Sequence, residues 1–209
     1  MKSRQTGFTL VEIAIVLVII GLLLGGVLKG QELINSAKVK NLGNDFRNIP
    51  IYIYGYQDRF RALPGDDKKV VDHLGDAAKD TAGDGNGVIG GTWNAESGES
   101  YLFWLHVRLA GFAPGSTNTG DKAAYIPRNA EGGKIGITSD PDKKPISDLR
   151  GTYFICSAGI AGRFAKQLDL MMDDGETKTG SMMTMDGTSE VVATADIVDG
   201  QTYTVCMGV

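Results

Sequence analysis

Residues 80–91 hold the densest group of side chains able to bind something. Asp80, Asp84, Asn86 and the backbone carbonyl of Val88 present oxygens at spacings like the middle of a calcium loop. Gly87 and Ile89 suit the turn and the apolar residue after it. Ca²⁺ takes roughly six to eight oxygen ligands, and a glycine-rich loop can wrap them around it. Ala82 and Trp93 stand where an EF-hand would place its first and twelfth residues, and neither supplies a side-chain oxygen. The match is partial, so Asp66, Asp67, Glu96 or Glu99 would have to complete the site. A solvated Asp/Asn/Gly turn is the competing reading. The run Gly85-Asn-Gly-Val-Ile-Gly90 also fits G-x-G-x-x-G, but no strand is predicted before it and no βαβ unit around it, so it carries no dinucleotide argument.

Other reactive residue types are sparse. Asp173 and Asp174 could form an acid–base pair, but they precede Gly175 at a predicted helix end, where solvated caps are common. His106 lies one turn from Leu102 and Leu109 and reads as a packed core histidine; His73 sits in a charged stretch and reads as exposed. The two histidines and two cysteines match no zinc spacing. There is no Ser-His-Asp order, no H-E-x-x-H and no P-loop, so the reading is not an enzyme. Lys and Arg number 21 against 25 Asp and Glu, a net charge of −4, which argues against a chain built mainly for nucleic acid.

The apolar residues are unevenly placed. Residues 1–7, MKSRQTG, are polar and basic; from Phe8 the chain is apolar, with no charge between Ile13 and Leu28. That length covers a bilayer as a helix. Gly21, Gly25 and Gly26 are at home in membrane spans, and Lys2 and Arg4 mark the N-terminal side as cytoplasmic. The remainder would then lie outside the cytoplasm. A secretory signal peptide and a plain signal anchor both fit this hydropathy. Neither accounts for Glu12, a carboxylate at the start of an apolar span that contains no cation between residues 13 and 28.

Gly7 to Glu12, GFTLVE, resembles the class III signal of type IV pilins and pseudopilins. The resemblance is strongest over residues 1–60. It implies cleavage between Gly7 and Phe8 by a prepilin peptidase, N-methylation of Phe8, and pairing of Glu12 with the new N-terminal amine of a neighbouring subunit. Cleavage also removes Lys2 and Arg4, leaving a more acidic chain.

The elements follow from periodicity. Leu42, Phe46, Ile49, Ile53, Tyr56, Phe60 and Leu63 form one helical stripe that keeps phase through Pro50. We therefore expect one long helix, kinked near Pro50 and ending by Pro64-Gly65. Residues 8–28 would be its membrane or filament-core half, and residues 29–63 its amphipathic half, packed on a head of residues 64–209. In the head, 99–110 and 160–172 read as helices and 152–157, 181–186, 191–195 and 201–207 as strands. The fold class is α+β, with an antiparallel sheet. LPGDD at 63–67, GDGNGVI at 83–89, ES…FWLH…LAG at 99–111 and LD…DDG at 168–175 are similar to a subset of pilin-like proteins and specify no activity. Cys156 and Cys206 lie in predicted strands of an exported head, where an oxidising compartment favours pairing; two buried free thiols are the alternative. A pairing resembles the C-terminal disulfide loop of many pilins.

The resemblance implies a structural subunit of a type IV pilus or a type II secretion pseudopilus. It would be anchored in the inner membrane with a periplasmic head before assembly, and would lie in a periplasmic pseudopilus or an extracellular pilus afterwards. Partners would be further copies of itself in a helical filament, the peptidase, an assembly ATPase and a platform membrane protein. The alternative is a minor pilin whose head is an adhesin or a DNA-uptake module.

Overall fold

The computed structural model describes residues 10–209. They fall into two units, one ending at Lys38 and the other Val39–Val209. Helix α1, Leu10–Phe60, supplies residues to both. In the first unit its side chains are exposed: Leu10 is 91% accessible, and Leu17, Leu22, Leu23 and Leu28 all exceed 60%. Its most apolar window has a mean hydropathy of 2.8 and no buried residue, and the helix is long and apolar enough to cross a membrane. Ile, Val and Leu facing outward throughout would be costly in water, so this segment requires an apolar surrounding.

In the second unit α1 buries most of the expected stripe: Leu42, Phe46, Ile49, Ile53 and Tyr56 are buried, with Val39 before them, while Phe60 is half-buried at the helix end and Leu63, though buried, lies beyond it. Pro50 lies inside the helix, which continues past it. Proline removes one helical hydrogen bond, and the buried stripe on both sides holds the turn in place. After α1 come α2 (Val70–Leu74), α3 (Glu99–Leu109), α4 (Lys122–Tyr125) and α5 (Gly162–Met172). Gly111, at φ 81°, follows the end of α3.

Four antiparallel strands, β1 (Ile135–Thr138), β2 (Phe154–Ala161), β3 (Met182–Met185) and β4 (Thr202–Gly208), form a sheet in the order β1-β2-β4-β3. Alternation divides its residues between two clusters. Ile135, Ile137, Ile155, Val205, Met207 and Met182 join the main core with α1, α3 and α5. Phe154, Cys156, Met183, Met185 and Cys206 face a smaller cluster with Ile146 and Leu149. Burial on both faces explains why the strands read as near-continuous apolar runs.

The elements differ from the sequence reading at several points, and α1 ends at Phe60 rather than at Pro64-Gly65. The strand expected at 152–157 runs from 154 to 161, because Ile160 and Ala161 resume pairing with Tyr203 and Thr202 after an irregularity at Ser157. The following helix therefore starts at Gly162. Residues 191–195 form no strand: Val191 makes one isolated bridge to Met185, and Thr194–Asp196 is a 3-10 turn. Strand β1 has no counterpart in the sequence reading, since Gly136 interrupts its apolar run of four residues.

Candidate functional site

The 80–91 loop is built around two carboxylates from outside it. Asp66 follows the turn after α1 and is buried. Its Oδ1 accepts the N–H groups of Gly85 at 2.6 Å and Asn86 at 3.1 Å, and its Oδ2 that of Gly87 at 2.7 Å. Glu99, the first residue of α3, accepts the N–H groups of Asp84 at 3.0 Å and Gly90 at 2.8 Å. Asp84 accepts from Asn86 through both backbone N–H and side-chain amide, each at 2.9 Å. Asn86 Oδ1 in turn accepts the Val88 N–H at 2.7 Å. Gly83 lies so close to Asp66 that an added Cβ would meet the Asp66 Cα at 2.3 Å. The chain can pack here only without a side chain.

Of the four residues proposed as oxygen donors from the sequence, Asp84 joins Asp66 and Glu99 in a group whose ligating oxygens lie within 4.8 Å of one another. Asn86 is bonded to Asp84 within that loop, and Val88 donates to Asn86. Asp80 stands apart from the group, exposed and at φ 63°. The completing residues are Asp66 and Glu99. Asp67 and Glu96 serve other partners, Glu96 bonding Lys122 at 2.9 Å and Lys134 at 2.5 Å. Partial burial, and then the neighbouring Asp66 and Asp84 charges, raise the Glu99 carboxyl above its ordinary range against the pull of the two backbone N–H groups. The group concentrates negative charge and offers oxygen only, which suits a hard cation.

Beside it is an open cleft of about 780 Å³, lined by Gln57, Phe60, Asp66, Asp67, His73, Gly87 and others. At its floor the Asp67 Oδ2 accepts from Tyr56 Oη and His73 Nδ1, both at 2.7 Å. Burial opposes ionisation of Asp67, but His73, Tyr56 and the Lys69 N–H outweigh it and hold the carboxyl below its usual range. His73 is therefore not a free surface residue, as its sequence context suggested: it is stacked on Phe60 and bonded to Asp67. No local spacing signals this contact, since α2 creates it. His106 is fully buried, as expected. Its Nδ1 accepts the Gly65 N–H at 2.8 Å and its Nε2 donates to the Thr81 carbonyl at 2.9 Å. Burial lowers its pKa to about 4, so it is neutral and ties the turn after α1 to α3.

Asp173 and Asp174 act as loop acceptors rather than as a facing pair. Asp173 takes the Met182 N–H and the Ser181 hydroxyl, and Asp174 takes the Glu176 N–H and the Thr179 hydroxyl. Asp169, part of the LD…DDG run but not singled out by its spacing, is fully buried with Oδ2 unbonded among the described residues. Cys156 and Cys206 are opposed across β2 and β4 and form a disulfide.

Glu12 stands in the first turn of α1, at the head of the apolar stretch. Gly7 and Phe8 lie outside the described residues. A family model described as the prokaryotic N-terminal methylation motif matches residues 2–28. The chain carries the signal of type IV pilins and pseudopilins. The motif spans the basic leader, Gly7, Phe8, Glu12 and the apolar run to Leu28, and it supports a pilin-like precursor. Such a signal implies processing by prepilin peptidase, and with the apolar helix it fits membrane anchoring before assembly. No curated protein matches the chain.

Proposed function

We propose that this chain is a structural subunit of a type IV pilus or type II secretion pseudopilus. The methylation motif at residues 2–28, continuous with a helix whose apolar residues from Leu10 to Leu28 are exposed, carries the reading. Cleavage after Gly7 frees the Phe8 amine. Glu12, of opposite charge, would receive the amine of a neighbouring copy and so set the register between subunits. A misplaced neighbour would leave that carboxylate unpaired in apolar surroundings, which disfavours wrong packing. The role is structural, and an assembly ATPase and a platform membrane protein would act on it. The inner membrane is its first location, with the head in the periplasm.

The intact mass of the chain from its native membrane or filament fraction, taken without reductant, tests this. The expected species starts at Phe8, one methyl heavier and two hydrogens lighter than the reduced sequence. A full-length or differently cut chain overturns it.

We further propose calcium as a ligand of the head, because three carboxylates gather at Asp66, Asp84 and Glu99, and the donors bonded to them among the described residues are backbone N–H groups and one side-chain amide. The wild-type melting temperature is then higher in Ca²⁺ than in EGTA, and Asp84→Ala abolishes the difference. Equal melting of the wild type in both removes calcium from the account.

A further inference from the structure

Opposite charges line one small cavity of the head without meeting. The cavity is about 180 Å³ and is enclosed by α1, α3 and the segments that carry Pro114 and Pro127. Asp45 and Arg108 both line it. Asp45 precedes Ile49 by four residues and Tyr52 by seven, so the three share one face of α1 at the edge of the buried stripe. Asp45 is half-buried, and its carboxylate has no hydrogen-bond or ion-pair partner among the described residues. Burial raises its pKa from 3.8 to about 6, as expected of a charge drawn from water without compensation. Arg108, in the last turn of α3, is only 8% exposed. Its Nε donates to the Pro114 carbonyl at 3.1 Å, and its Nη1 to the Ser116 and Tyr125 carbonyls at 2.8 and 2.7 Å. Its Nη2 has no acceptor among the described residues, and no carboxylate there lies within ion-pair distance of the guanidinium. A Cβ at Gly115 would meet that Nη2 at 2.8 Å, so only a bare backbone leaves the group its place. Buried charges are normally paired, and these two are not.

We infer that this cavity binds a free α-amino acid with a small aliphatic side chain, its ammonium on Asp45 and its carboxylate on Arg108 Nη2. A ligand of one charge would satisfy one wall and leave the other unpaired. An α-amino acid carries both charges on a single carbon and bridges two groups that do not reach each other. Arg128, whose Nη1 donates to the Gly132 carbonyl at 2.8 Å, adds a second cation to the lining for the carboxylate. The rest of the lining is largely apolar: Ile49, Trp104, Pro114, Pro127 and Ile135 suit an aliphatic chain. A cavity of roughly 150 Å³ holds a benzene ring, so this one has room for a side chain of valine or leucine size. Both charged walls are already withdrawn from water and held by the fold, which lowers the cost of binding.

The test is equilibrium dialysis of the full chain in detergent against labelled alanine, valine and leucine. The best binder is then compared with its methyl ester, which lacks the carboxylate, and its N-acetyl derivative, which lacks the ammonium. Saturable binding at millimolar concentration or below is expected. Each derivative should bind at least about tenfold more weakly, because each forfeits one charge-assisted contact. Asp45→Asn, which removes a charge and breaks no hydrogen bond, should weaken binding by about tenfold with the melting temperature kept. Where that variant does not fold, the two derivatives decide on the wild type. No saturable binding of any of the three amino acids overturns the proposal. So does a derivative that binds as tightly as its parent, or undiminished binding by folded Asp45→Asn.

Discussion

Glu12 and Asp169 are two carboxylates whose environments assign them opposite roles. Glu12 lies far in sequence from the core-forming residues, and its proposed function is between subunits. Glu12→Ala should leave the head's melting temperature unchanged and strongly reduce the chain's recovery in sheared filaments; normal recovery would contradict the register role. Asp169 acts inside the head. Burial, and then the nearby Asp173, Asp174 and Glu176, raise its pKa from 3.8 to about 6 despite the Gly175 N–H bond. A carboxyl raised on folding favours the folded state in its protonated form. Its contribution is present below pH 3.8 and is lost as pH rises through about 6. Asp169→Asn should therefore stabilise the head at pH above 7 by about 1–2 kcal/mol and have little effect near pH 4, read as chemical denaturation midpoints at the two pH values. His106 has the opposite sign. Its lowered pKa removes stability as pH falls from 6.5 toward about 4, so the two slopes partly cancel in the wild type.

At the scale of elements, the buried stripe of α1 was legible because it repeats over about five turns, from Val39 to Tyr56, and its phase survives Pro50. Ile53 is fully buried in the main core between the helix and the sheet. Ile53→Ala should cost the head about 2–5 kcal/mol, whereas Ile51→Ala, on the exposed side one residue past the proline, should cost it little. Equal losses would mean that the stripe is not what attaches α1 to the core. The helix α3 was legible from its leucines and Gly111, and the strands β3 and β4 from their runs of apolar and β-branched residues. The short elements β1, α2 and α4 were not. α2 and α4 barely exceed one helical turn and β1 is interrupted by Gly136, so none shows a sustained pattern, and their place is set by what they pack on.

For the whole molecule, the Cys156–Cys206 disulfide closes a sequence separation of 50 residues and joins the two central strands. In the chain-entropy account it restricts the unfolded state by about 4 kcal/mol. The paired Cys156→Ala and Cys206→Ala variant should lose about that much in denaturant unfolding, with the sheet retained by circular dichroism; a loss below about 1 kcal/mol would leave the bond without a stability role. The sequence by itself determined the features that are local or strongly periodic. These are the methylation motif, the uncharged apolar run, the stripe of α1 and the α+β class, because each is written in consecutive residues or a fixed spacing. Tertiary structure alone decided which acids meet. Asp66 and Glu99, rather than Asp67 and Glu96, join Asp84; Asp67 takes Tyr56 and His73; and Asp169 is sealed from water. Those choices depend on where α1, α2 and α3 bring distant segments together. A charge close in sequence is only a candidate until the fold sets its distance and its exposure to water.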